Sequence, residues 1–123
     1  MRIAHGRVRI LRMGRCASGL LALALCSATV AETIPAPGSI DSRIRSATYD
    51  AAEVYRLEGR VGYQIDIQFD SDETFVGLGA GDVQGIAFVA QGNHLFLKPK
   101  AVRVSTNLTV LTSRRDYHFE FLQ

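Results

Sequence analysis

Tryptophan is absent from this chain, and cysteine, histidine and proline are scarce: two, three and three in 123 residues. Each shortage excludes something. Both cysteines, Cys16 and Cys26, lie near the start of the chain, so the rest has no disulfide framework and no thiol chemistry. Beyond the first thirty-odd residues only His94 and His118 remain, fewer than the three or four converging ligands of a zinc centre. The longest apolar run, around Gly19–Leu25, is about ten residues, against roughly 20 needed to span a bilayer. Outside that run no stretch of about ten residues has a clean helical period, so helical architectures are excluded.

The start of the chain differs sharply from the rest. Arg2, Arg7, Arg9, Arg12 and Arg15 occur there without any acidic residue. The aliphatic segment Gly19–Leu25 follows, and then Thr29 and Ala31 stand at the spacing a signal peptidase reads. A basic stretch, a short apolar stretch and a small-residue site together predict a secretory signal peptide over residues 1–31. Lipidation at Cys26 or Cys16 is disfavoured, because Leu25 and Arg15 precede them where a small residue belongs.

Cleavage after Ala31 would change the electrostatics. The whole chain carries a formal charge of +2. Without its first 31 residues it keeps nine Lys and Arg against all twelve Asp and Glu, about −3. A domain with that balance has no cationic excess with which to release counterions from nucleic acid, so direct nucleic-acid binding is not expected.

Residues 32–42, with Pro35, Pro37 and Gly38, predict a flexible lead-in, and residues 43–123 a folded all-β domain. The clearest alternation runs from Val61 to Phe69, placing Val61, Tyr63, Ile65, Ile67 and Phe69 on one face. A second places Tyr117, Phe119 and Phe121 opposite Asp116, His118 and Glu120. Leu95–Leu97 and Leu108–Leu111 are shorter β-favouring runs, and weaker strands are expected at 43–49, 54–57, 74–78 and 86–90. Turn-forming residues separate them at Asp70–Asp72, Gly79–Asp82, Gly92–Asn93, Lys98–Lys100 and Ser113–Arg114. About eight short strands at such spacing predict a small β-sandwich.

The chemistry-bearing patterns are weak. The glycine-rich stretch Gly77–Gly81 suits a phosphate loop only between a strand and a helix, and no helix pattern follows. Asp116 and His118 share a strand face, which reads as a solvated polar face. Asp70, Asp72 and Glu73 read as one solvated acidic turn. No serine sits in a nucleophile elbow. Neither an enzyme nor a cofactor-binding protein is expected. Arg60, Arg114 and Arg115 flank strands and are candidate anchors of a protein interface, where arginine is enriched.

Three segments together resemble the TrbG/CagX family, which includes the ninth VirB component of type IV secretion systems. The first runs from Asp41-Ser-Arg-Ile-Arg45 through Tyr49-Asp50 and Glu53-Val-Tyr-Arg-Leu57 to Arg60-Val-Gly-Tyr-Gln64. The second is Gly92-Asn93 with Leu95-Phe-Leu-Lys-Pro99. The third is Thr106-Asn-Leu-Thr-Val110 with Thr112, Arg114, Arg115, Tyr117 and Phe119.

The resemblance implies a structural, non-catalytic subunit of a secretion or conjugation core complex. It would lie in the periplasm beneath the outer membrane and repeat in a ring. It would contact a scaffold subunit that spans both membranes. The family's second β-domain, which holds a small lipoprotein, has no counterpart in these residues, so a lipoprotein contact is not carried over. The tryptophan that the family often places after its Gly-Asp turn is missing, and Phe88 is expected to fill that core space. Other readings are a standalone periplasmic binding module and a truncated, non-functional fragment.

Overall fold

The computed structural model describes residues 32–123, so the expected signal peptide over 1–31 lies outside the described residues. Seven strands follow one another: β1 Val54–Glu58, β2 Ile65–Gln68, β3 Phe75–Ala80, β4 Ile86–Gln91, β5 His94–Pro99, β6 Ser105–Thr112 and β7 Asp116–Leu122. They form two sheets, one ordered β1-β7-β6-β3 and the other β2-β5-β4. All pairings are antiparallel except β1 with β7, where Val54 stands opposite His118 and Glu58 opposite Leu122. The class is all-β and the arrangement sandwich-like.

Period-two burial drives this assembly. In β7, Tyr117, Phe119 and Phe121 are buried while Asp116 and His118 are exposed. In β6, Thr106, Leu108, Val110 and Thr112 alternate inward in the same way. The facing sheet contributes Ile67, Leu95, Leu97 and Ile86, and Phe69 packs against Tyr117 with the rings tilted by 45° and their centroids 4.7 Å apart. Each such side chain, fully buried, contributes about 1.5–3 kcal/mol of transfer free energy. The β4–β5 turn is two residues long, and Gly92 at its first position has a φ of 59°. That left-handed conformation at the first position is what a II′ hairpin needs and glycine supplies without strain.

Four expectations are corrected. The strand expected from Val61 begins only at Ile65. Gly62 takes a φ of 85° and Tyr63 N–H donates to the Arg60 carbonyl at 3.0 Å, closing a turn. Val61 and Tyr63 are therefore exposed rather than core. Residues 43–49 form no strand, so the count is seven, not eight. Ala36 and Ser46 instead exchange both backbone hydrogen bonds, each 3.1 Å, and Gly38 N–H donates to the Ile44 carbonyl. Phe88 does not fill a core space: it sits on edge strand β4, 44% exposed, with its ring against Phe75. Glu73, expected in a solvated turn, is buried.

The stretch expected as a flexible lead-in carries backbone bonds of its own. Thr33 N–H donates to the Val54 carbonyl and the Thr33 carbonyl accepts from Arg56 N–H, both at 2.9 Å, laying Thr33 against the outer edge of β1.

Candidate functional site

The β6–β7 turn and the β2–β3 loop meet at one end of the sandwich and bring Arg114 and Arg115 over the acidic residues 70–73. Arg115 pairs with Asp70 at 3.1 Å and lies over the Tyr49 ring, 4.7 Å from its centroid. Arg114 pairs with Asp72. Beneath them Glu73 is wholly buried yet well supplied with donors. Its carboxylate accepts from the Tyr117 hydroxyl at 2.8 Å, the Thr112 hydroxyl at 2.7 Å and the Asp70 backbone N–H at 3.2 Å. Arg115 stands 3.9 Å away and balances the charge. A buried carboxylate is tolerable only when paired and hydrogen-bonded, and this one is both.

The surroundings hold the corner in place. The Thr112 hydroxyl that donates to Glu73 also accepts from Arg115 N–H at 3.1 Å, fixing the turn that carries both arginines. Tyr49 packs edge-on against Tyr117 at 5.0 Å and its hydroxyl reaches the Asp116 carbonyl. Burial, reinforced by the bond to Glu73, pushes the Tyr117 phenol far above its ordinary range.

Arg60 belongs to a different place. The parallel β1–β7 register puts the end of β1 beside Leu122, whereas Arg114 and Arg115 precede Asp116 at the other end of β7. Arg60 is exposed and stacks over the exposed Tyr63 ring at 5.9 Å. The three arginines therefore mark two separate ends of the molecule.

Other patterns resolve without converging. His94 Nδ1 meets Asp66 at 2.9 Å on one sheet, and His118 Nδ1 meets Thr109 Oγ1 at 3.3 Å on the other. Among the described residues no three His, Cys, Asp or Glu side chains gather around a metal-sized point. Gly77 and Gly79 lie inside β3, and Asp82 caps the turn beyond them by accepting from Gln84 and Gly85 N–H. Reading the sequence missed Glu73 and Tyr49. A signal for the first was present: Glu73 lies two residues before Phe75 and so shares its strand phase.

A larger concavity lies between the open edges of β1 and β2. It encloses about 870 Å³ and is lined by the 34–46 arm, β1 and β2. Arg45 and Arg56 lie on its walls, with Leu57, Ile65 and Ile67 among the apolar lining. Nothing in the sequence pattern announced it, because its two walls come from strands that pair with different sheets.

Comparison with known proteins supplies the context. The chain is 35% identical over 95 residues to "Type IV secretion system protein virB9" of Bartonella henselae, covering 73% of this chain and 33% of that protein. It is 34% identical over 119 residues to "Type IV secretion system protein PtlF" of Bordetella pertussis, covering 86% of this chain and 43% of the relative. "Protein virB9" of Rhizobium radiobacter is 32% identical over 103 residues, covering 82% and 35%. The chain thus spans between a third and under half the length of these relatives. Residues 42–123, which include all seven strands, match the family model described as conjugal transfer protein, and the chain belongs to the CagX family.

Proposed function

We propose that this domain is a structural subunit of a type IV secretion or conjugal transfer complex in the bacterial envelope, acting through protein–protein contacts rather than catalysis. The observation that carries the reading is the family match over residues 42–123, together with named secretion relatives above 30% identity. The chain would be exported by the signal peptide read over residues 1–31 and would work in the periplasm, associated with the outer-membrane complex. Its partners would be further copies of itself in a ring and a scaffold subunit spanning both membranes. A ring needs heterologous contacts that close, and a sandwich with open strand edges has surfaces suited to them.

Arg60, Arg114 and Arg115 are proposed as contact residues of unequal freedom. Arg60 is exposed on a loop. Arg114 has Asp72, and Arg115 is tied to Asp70 and Tyr49. The test is to tag the chain in its own host, solubilise the envelope in mild detergent and identify what co-purifies. A large particle containing other core subunits is the expected result. A lone soluble monomer would overturn the proposal.

A further inference from the structure

The β2 edge is chemically open. Phe69 N–H donates to the Asn93 carbonyl, and the register continues Ile67 opposite Leu95 and Ile65 opposite Leu97. In an antiparallel ladder, alternate residues bond to the partner and those between point away. The odd-numbered residues thus bond β5, and the N–H and C=O groups of Asp66 and Gln68 face outward into the groove. No described residue bonds to them. Across the groove, Thr33 takes outward groups of β1 at the Val54 carbonyl and the Arg56 N–H, and no described residue bonds to the Arg56 carbonyl or the Glu58 N–H.

The side chains add a charge preference. Arg43 clamps Asp41 at 2.6 Å and holds its carboxyl down at about 2, so that pair stays internally neutral. Arg45 donates only to the Pro35 carbonyl, and no carboxylate among the described residues pairs with it. Arg56 Nε is fully buried and makes no hydrogen bond, although Glu58 Oε1 stands 3.3 Å away in poor alignment. The Arg56 guanidinium thus lacks an aligned acceptor at Nε, in a groove whose lining sets Arg43, Arg45 and Arg56 against Glu58 and Asp66.

We infer that the groove between β1 and β2 receives an extended, acidic segment of a partner subunit, which adds as a strand to β2 and presents a carboxylate to Arg56 and Arg45. Backbone bonds to Asp66 and Gln68 give the segment its register, and the apolar lining at Leu57, Ile65 and Ile67 takes alternate side chains. The inference rests on the assembly reading only for the source of the segment; the groove itself is tested apart from any assembly.

The experiment titrates the purified, ¹⁵N-labelled chain with a capped pentapeptide of alternating valine and glutamate, and with the same peptide carrying lysine for glutamate. The acidic peptide should shift the amides of Glu58, Asp66 and Gln68 and bind at least about tenfold tighter than the lysine peptide. Arg56→Gln should abolish that preference. Gln68→Pro removes an outward N–H while leaving the β5 ladder intact, so the variant should fold and lose binding. Should that variant melt, a peptide N-methylated at alternate residues puts the same question to the unaltered protein and should not bind. Equal binding of both charged peptides, shifts confined to Val89 and Phe96 on the far face, or no shift at millimolar peptide would each overturn the inference. Failure here leaves the co-purification result standing, and failure there leaves the groove standing.

Discussion

The Tyr117 hydroxyl donates to both oxygens of the Glu73 carboxylate, at 2.8 and 3.0 Å, inside the domain. The bond joins the start of β7 to the β2–β3 loop, which Thr112 also holds from inside and Asp70 and Asp72 hold at the surface. Tyr117→Phe keeps the ring packing and deletes the donor. It should cost about 1–3 kcal/mol, the usual penalty for leaving a buried polar group short of a partner. Urea unfolding of the two proteins measures the difference, and an unchanged midpoint would contradict the burial of Glu73.

The same bond predicts alkaline sensitivity. An unfolded tyrosine loses its proton near 10.0, whereas burial and Glu73 raise the phenol of Tyr117 well above that value. Tyr55 is raised as well, chiefly by burial. The folded state therefore holds these protons more tightly than the unfolded state. That contribution is whole below pH 10 and is lost as pH rises towards the folded values. Melting temperature should fall above pH 10, and it should fall less steeply in Tyr117→Phe.

Packing separates two aromatic residues that the sequence put in the same category. Phe119 is 1% exposed and Tyr63 is 66% exposed. Phe119→Ala should cost about 3–5 kcal/mol. Tyr63→Ala should change stability by no more than about 0.5 kcal/mol. Thermal unfolding of both variants decides the face assignment, and equal losses would refute it.

Gly59 leaves no room for a side chain. A Cβ there would come within 2.3 Å of Cζ of the buried Phe121 ring. Gly59→Ala should destabilise by about 1–3 kcal/mol through overpacking. Pairing it with Phe121→Leu should recover part of the loss, which a double-mutant cycle would register as coupling.

Arg60 and Arg115 should behave differently on the proposed contact surface. Arg60→Ala should leave isolated stability within about 0.5 kcal/mol and lower recovery of the assembled particle. Arg115→Ala should lower stability by about 1–3 kcal/mol before any effect on assembly, because it strips Glu73 of its counter-charge. Denaturation and co-purification of each variant separate the two effects.

The fold was legible wherever alternation and burial coincide. Tyr117, Phe119 and Phe121 alternate on a strand whose inner face is fully covered, so period two translated directly into core. The same rule overreached at Val61 and Tyr63, where alternation continues across Gly62 although the backbone turns there. Phe88 was misjudged because strand position decides exposure, and β4 is an edge. Of the candidate site, the arginines at the β6–β7 turn could be placed from turn residues alone. The role of Glu73 could not, because its acceptors are satisfied from Thr112 and Tyr117, some forty residues away in sequence.

The pairing of β1 with β7 bears on how the chain reaches its native state. Residues 54–58 have no inner-edge neighbour until residues 118–122 are available. Contacts so distant in sequence charge their loop-closure entropy before they reward it, and proteins built on them fold in milliseconds to seconds rather than microseconds. The four-stranded sheet is thus incomplete until the last strand has emerged. A domain with this topology stays unfolded, and so able to pass through a narrow pore, for longer than a helical domain of equal length.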